Sequence, residues 1–397
     1  MIELLTGSAA PASDLATALG HPVGHTVVFT GSRPFAGRIL RTWSGPGVAE
    51  LGASRLAGNQ RLLVVLPFEE GGDEVAHLVE PTEIGDLEAP FEAREVARQS
   101  KRPAGTSTTA GRTFRVVASP SPAQYADLVR AALARIDAGE LAKVVLGRCL
   151  EVGMEPPLEP EELLAALAAA RPGRYLVGAP LTGGRWLVGA SPELLVSRRG
   201  SVVTSTPLAG SAPRVPDQAE DNRRAAQLRE SAKDLHEHSF VADAIRTALS
   251  PVVTELQVPE RPTLLSTDTL HHLATPIRAR LRRWGPDSLG PSALDLARLL
   301  HPTPAVGGVP TPSAAAAIAE LEGERGPFAG AVGWVDATGD GEFAVTIRSA
   351  VLAGGTVRLF AGAGIVAGSD PEGEVRETGA KLTTIARALG LPEELLP

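Results

Sequence analysis

The sequence predicts an α+β fold built on a largely antiparallel sheet. Apolar runs of strand length follow one another across short Gly-containing turns: RYLVGAP and RWLVGA around Gly183-Gly184, ELLVSR and SVVTST around Arg199-Gly200, FAGAVGWVDA and EFAVTIRSAVL around Gly339-Asp340-Gly341. Stretches of helical periodicity stand apart from these hairpins. They do not alternate with single strands, which argues against a doubly wound parallel sheet. No repeat of 20 to 50 residues is found, so a solenoid or propeller is not expected.

The first 100 residues offer short strand-like runs, Thr26 to Thr30 and Arg61 to Pro67, among Gly/Pro turns, and no site constellation. Residues 101–112 (KRPAGTSTTAGR) are polar and small, and are read as a loop separating this region from the rest. Ser121-Pro122-Ala123-Gln124 then supplies an N-cap serine, proline at the first helical position and glutamine three residues after the cap. A helix is expected there, with Leu128, Ala132 and Ile136 as its apolar stripe and Gly139 as its end. A strand follows from Lys143 to Val152, then a second helix from Glu161 to Ala170 that stops at Arg171-Pro172-Gly173, then the first two hairpins. From Ala219 to about Leu249 one long helix is expected, with Leu228, Leu235, Val241 and Ile245 among charged residues. Strand-like runs return over Leu264 to Leu281, and short helices fit Ala293 to Leu300 and Ser313 to Leu321. The last hairpin leads through Gly354-Gly355 into a third strand (TVRLFA), a glycine-rich turn and a C-terminal helix.

Bulk properties narrow the function. A chain of 397 residues can bury a large core, and its 42 Gly and 33 Pro indicate many turns. The net charge of -8, with no Lys/Arg-rich block, excludes a phosphate-tracking nucleic-acid surface. Cys149, the single cysteine, lies in an apolar strand-like run and excludes a disulfide framework or a cysteine metal cluster. The N-terminal MIELLTGSAAP lacks a basic then apolar leader, and no apolar run approaches the roughly 20 residues that span a bilayer. A cytoplasmic enzyme is expected.

Several residues have chemistry available. In GAGIVAGSDPEGEVRETGAK, glycines allow close backbone approach to an anion, and Glu374 and Glu377 at i and i+3 share a helix face suited to a hard cation. Alone, each half has a plainer reading as a turn and a solvated face. Lys143 either caps a strand end in water or, partly buried, acts as a base. Glu193, in GASPELL, is an edge charge or a catalytic acid. Glu230, Asp234 and Glu237 form an acidic stripe on the long helix, with Lys233 and Glu237 able to pair at i,i+4. Joined with Glu374 and Glu377 they would offer oxygen ligands from two helices to magnesium. His271, His272, His236 and His238 show no closed zinc spacing; His272 is a pocket hydrogen-bonder or strand surface. Arg348, a strand arginine between apolar neighbours, needs an anionic partner, and a substrate carboxylate would serve.

Together KVVLGR, GASPELL, STPLAGS, SAKDLHEH, HHLATPI, LHPTPAVGG, FAGAVGW, FAVTIRSA and GAGIVAGSDPEGEVRETGAK resemble, in order, the chorismate-utilising enzymes, closest to the isochorismate-forming branch. The likeness covers most of residues 119–390, the chorismate-binding catalytic region, whereas residues 1–100 resemble that family's variable N-terminal part only loosely. It implies a single large α+β domain over 1–397, with two mostly antiparallel sheets packed face to face, helices outside and the site near the sheet centre. It implies a reversible, magnesium-dependent exchange of the 4-hydroxyl of chorismate for water at C2. On matching positions Lys143 would be the base and Glu193 the acid; Glu237 and Glu377 would hold Mg2+, with Glu374 and Asp234 contributing directly or through water. Gly210, Ser211, His272, Ala305, Arg348, Gly362, Gly364 and Lys381 would hold the ring and carboxylates.

Ala209 stands where aminodeoxychorismate synthases carry a nucleophilic lysine, and no glutamine amidotransferase segment is fused, so no such partner is expected. Ala305, in HPTPAVGG, matches the isochorismate version of that loop. EVRE in place of the frequent EWRE, and Ser211 in place of threonine, remove no charge that the reaction needs. A monomer is expected. The alternatives are a salicylate synthase, which would go on to eliminate pyruvate, and a catalytically silent chorismate-binding relative. Whether the product serves siderophore, menaquinone or other synthesis is left open.

Overall fold

The computed structural model describes residues 26–83, 111–170, 175–267, 269–282 and 290–395. Most of the 101–112 loop and the Arg171-Pro172-Gly173 helix stop lie outside the described residues. The chain begins with β1 (Thr26–Phe29), β2 (Phe35–Gly45), α1 (Val48–Ala53), β3 (Arg61–Leu66), β4 (Glu74–Glu83) and β5 (Thr113–Ser119). It continues through α2 (Pro122–Asp137), β6 (Lys143–Glu155), α3 (Pro160–Ala170), β7 (Tyr175–Pro180), β8 (Trp186–Ser191), β9 (Leu194–Arg199), β10 (Val202–Thr206) and β11 (Leu208–Pro213). Next come α4 (Gln218–Glu230), α5 (Ala232–Leu249), β12 (Val253–Gln257), β13 (Thr263–Ser266), β14 (Leu270–Ala274), β15 (Ile277–Leu281) and α6 (Ala293–Leu300). The C-terminal part holds β16 (Gly308–Val309), α7 (Thr311–Glu322), β17 (Ala331–Asp336), β18 (Gly341–Val345), β19 (Ser349–Ala353), β20 (Thr356–Val366) and α8 (Pro371–Ala388).

Among the described residues every strand pairing is antiparallel. Hydrogen bonding runs in the order β12-β15-β10-β9-β18-β17-β3-β4-β2, passes through β1, and continues β7-β8-β19-β20-β6-β5. The two halves are therefore one hydrogen-bonded network that folds back on itself at β1. Period-2 alternation builds the layers. Leu63 and Val65 of β3, Val177 and Ala179 of β7, Leu187 of β8 and Trp334 of β17 point into a core made almost entirely of strand residues, between the halves. Their neighbours point outward, Leu62 and Val64 with α2, α5 and α6, and Val188 with α3 and α8. This is the face-to-face arrangement with helices outside. A small third sheet, β11-β14-β13, lies against α4 and α5.

The capping box at Ser121 and Gln124 starts α2, and Gly139 at φ 75° follows its end. Its buried stripe is Tyr125, Val129 and Ala132, with Ala126; Leu128 and Ile136 only border the core, so the expected stripe is rotated by about one residue. Three other expectations are corrected. The long helix over 219–249 is two helices, because Ser231 takes ψ 111° and caps α5 by accepting from the Asp234 N–H. Glu230 therefore ends α4 and belongs to no common stripe with Asp234 and Glu237. The run EFAVTIRSAVL is two strands, β18 and β19, broken where Arg348 adopts φ 53°. The glycines Gly362 and Gly364 lie inside β20, paired with Gly147 and Val145 of β6, and the chain turns only after Val366.

Candidate active site

A cleft partly open to solvent lies where β6 and β20 face the breaks in the sheet. It is lined by Glu193, Gly210, Ser211, Glu237, His272, Ala305, Arg348, Gly362, Gly364, Glu377 and Lys381, gathered from residues spread over most of the catalytic region. Lys143 stands behind Glu237, and Glu374 and Asp234 lie outside the lining.

Two opposed interruptions of the strands make the cleft floor. The gap between β8 and β9 holds Glu193, and the gap between β18 and β19 holds Arg348; the Val345 N–H donates to Glu193 O and the Ala190 N–H to Arg348 O. These backbone bonds lock both residues while their side chains leave the sheet. Glu193 is buried, and burial pushes its carboxyl up to about 7, although the Leu208 N–H at 3.4 Å and the fields of Lys143, Arg348 and Lys381 act the other way. It can therefore hold a proton near neutrality. Burial lowers the Arg348 guanidinium to about 10, with Glu377 and Glu193 opposing, and it remains a cation. Among the described residues no carboxylate forms an ion pair with it. His272 is buried with Nε2 unpartnered, and burial, then Arg348 and Lys381, holds its ring well below the usual histidine range, so it is neutral.

On the opposite wall Lys143, the first residue of β6, is completely buried, with Nζ 3.0 Å from Glu237 Oε1 but without hydrogen-bond alignment. Space for this pair comes from Gly364. A Cβ there would stand 2.0 Å from Glu237 Oε1 and 3.1 Å from Lys143 Cε. The glycine thus admits a carboxylate against the strand. Gly364→Ala is expected to displace Glu237 and lower turnover at least about tenfold with little change in thermal stability; wild-type kinetics would show that the close contact is dispensable.

Three of the four proposed carboxylate ligands each face a lysine. Glu237 has Lys143; Glu374 Oε1 takes Lys233 Nζ at 2.7 Å; Glu377 Oε1 takes Lys381 Nζ at 2.6 Å, the same ammonium donating to Gly362 O at 2.9 Å. Lys233 pairs with Glu374, one helix away, and not with Glu237 four residues on. Glu374 is buried with Oε2 unpartnered; burial and then Glu377 raise its carboxyl. Burial opposes charge on Glu377 too, but Lys381, Lys233 and Arg348 outweigh it and hold its carboxyl low. Asp234 is raised by burial and by the negative fields of Glu237 and Glu377. Among the described residues no three acidic, His or Cys side chains are arranged as a metal cage. The donor set is nonetheless all hard oxygen, mutually repulsive and with one buried carboxylate oxygen lacking a partner, which fits Mg2+.

Two contributors went unread in the sequence. The i,i+4 spacing offers Lys233 to Glu237 and gives no sign of Glu374. His238, set aside as a zinc ligand, braces the PLAGS segment: its Nδ1 donates to Ala209 O at 3.2 Å and its Nε2 accepts from Thr275 Oγ1 at 2.7 Å. Burial lowers that ring to about 4, so it stays neutral and can do both. Next to it Gly210 takes φ 79° at the bulge between Leu208 and Ser211, which a side chain would strain.

The family model described as chorismate binding enzyme matches residues 68–390. The chain belongs to this family. The chorismate-binding chain is 44% identical over 364 residues to the isochorismate synthase DhbC of Bacillus subtilis, covering 89% of this chain and 87% of the relative. It is 42% identical over 316 residues to the isochorismate synthase EntC of Escherichia coli, with 79% of each covered. Among solved structures, a proposed 2,3-dihydroxybenzoate-specific isochorismate synthase, DhbC of Bacillus anthracis, superposes with a TM-score of 0.81 at 35% identity, covering 92% of this chain and 96% of that one. No helix among the described residues is long and apolar enough to cross a membrane.

Proposed function

We propose that this chorismate-binding chain interconverts chorismate and isochorismate. The observation that carries the reading is the placing of a buried carboxyl with a proton to give near neutrality, Glu193, in one cleft with a wall that holds a buried amine, Lys143. Water adds at C2 as its proton passes to Lys143. The ring double bonds shift, the C4–O bond breaks, and Glu193 gives its proton to the departing hydroxyl, which leaves as water. One water enters and one leaves, so no oxidant or second substrate is needed.

Arg348 supplies a cation for a substrate carboxylate. Lys381, already bonded to Gly362 O, stands beside the same strand to assist. Neutral His272 offers a hydrogen bond from the third sheet. Ser211, its register partner across that sheet, and the backbone at Gly210 enclose the ring with Ala305. Mg2+ would be held by Glu237 and Glu377, with Glu374 and Asp234 directly or through water, and would neutralise the substrate's ring carboxylate. We place the reaction in the cytoplasm, in a monomer without an amidotransferase subunit.

Incubation with chorismate and magnesium, with products separated by chromatography, tests the proposal. Isochorismate at equilibrium with chorismate is expected; salicylate and pyruvate accumulating together would replace it with a salicylate synthase, and binding without turnover with a silent relative. Glu377→Gln is expected to raise the magnesium concentration needed for half-maximal rate by about tenfold or more. An unchanged magnesium response would make this carboxylate a surface group.

A further inference from the structure

We infer that Lys233 is the exchangeable counter-ion of the magnesium site, occupying Glu374 until the metal displaces it. This rests on the proposed metal role of Glu237, Glu374 and Glu377. Glu237, Glu374 and Glu377 each face one lysine, Lys143, Lys233 and Lys381 respectively. Two of the lysines have work elsewhere, Lys143 on the attacking water and Lys381 at the substrate carboxylate. Lys233 has none. It lies on the first turn of α5, its side chain is 36% exposed, and among the described residues its ammonium donates to Glu374.

The pair is lopsided. Glu374 is 2% exposed and projects from the first turn of α8, while the lysine can swing into water. A buried carboxylate keeps its charge only if a cation stands against it, and without one it takes up a proton; in the metal-free protein Lys233 is that cation. A long, half-exposed lysine meets that need reversibly, because its ammonium regains full hydration on leaving. A permanent brace would show the opposite signs: a buried, multiply bonded cation, as Arg325 is to Glu322, Val306 O and Val145 O. Glu374 Oε2, buried and unpartnered, is the second indication, since Lys233 fills only half of the carboxylate's capacity.

Displacement makes Lys233 and the metal competitors. Removing the lysine should therefore tighten metal binding, whereas removing a structural brace should weaken it. The test is Mg2+ titration of the metal-free full chain by calorimetry at pH 8, without substrate, for wild type, Lys233→Met and Lys233→Arg, with thermal melts at each magnesium concentration. Lys233→Met should melt lower than wild type without metal, bind Mg2+ roughly fivefold more tightly and gain more melting temperature from it. Lys233→Arg, which keeps a cation on a fork better suited to a carboxylate, should bind no more tightly than wild type. Should Lys233→Met not fold without metal, recovery of its melt on adding Mg2+ reads the same exchange. Equal or weaker Mg2+ binding by Lys233→Met overturns the inference alone. Wild type that binds no Mg2+ overturns the metal reading as well.

Discussion

Lys143→Ala is expected to abolish turnover, by at least about a hundredfold and up to ten-thousandfold, while leaving chorismate binding largely intact. The substrate's anions are met by Arg348 and Lys381, on β-strand breaks and α8, and neither depends on Lys143. What the substitution removes is the proton acceptor beside the attacking water. It also removes the amine that faces Glu237 and opens a void where a fully buried side chain stood, so some loss of stability is expected. Lys143→Met separates the two effects because it keeps the volume. Both variants should bind chorismate in a calorimeter at saturating magnesium and yield no isochorismate in a single-turnover assay. Wild-type turnover in Lys143→Met would remove the lysine from the chemistry and leave it a counter-ion only.

The parts of this site that could be read from the sequence are those set by short-range rules. The capping box at Ser121 fixed where α2 begins, and apolar runs around paired glycines fixed the β7-β8 and β17-β18 hairpins. Glu193 and Arg348 stood out as charges in apolar surroundings, and the family likeness assigned roles to them and to Lys381. What could not be read is what depends on distant partners. Periodicity across 219–249 is continuous, so the break at Ser231 shows only in its ψ and in the cap that it makes. Lys233 and Glu237 have i,i+4 spacing, yet Lys233 is drawn to Glu374, 141 residues away, because that carboxylate is buried and needs it more.

Arg348 illustrates the same limit. Its neighbours Ile347 and Ser349 continue an alternating strand pattern, but its φ of 53° ends one strand and starts another. A non-glycine residue in that region is under strain, and here the strain aims a buried guanidinium out of the sheet plane into the cleft. The glycines of β20 were read as a turn for a bound anion. They are strand positions, and at Gly364 the missing side chain makes room for Glu237 and Lys143. The residue type was informative in both readings; the contact that requires it lies on α5, outside local view.

Glu193→Gln should produce the second large effect, visible in both rate and stability. As the acid, Glu193 must carry its proton, so kcat/KM of the wild type should fall as pH rises through about 7. The glutamine variant should lose about a hundredfold or more in rate, and with it that alkaline limb. The stability change has the opposite sense. The folded-state pKa of about 7 lies above the unfolded value near 4.5, so between them the folded protein binds more protons and its stability falls as pH rises across that window. Above about pH 7 the wild type holds a buried, desolvated carboxylate at a cost of up to ~3 kcal/mol, which the neutral amide avoids while its oxygen still accepts from the Leu208 N–H. Glu193→Gln should accordingly be the more stable protein at pH 8 and close to wild type at pH 4.5. Denaturant melts at the two pH values measure the difference. Equal stability at pH 8, together with a kcat/KM profile flat through pH 7, would mean that Glu193 is already ionised in the folded chain and is not the acid that releases the hydroxyl.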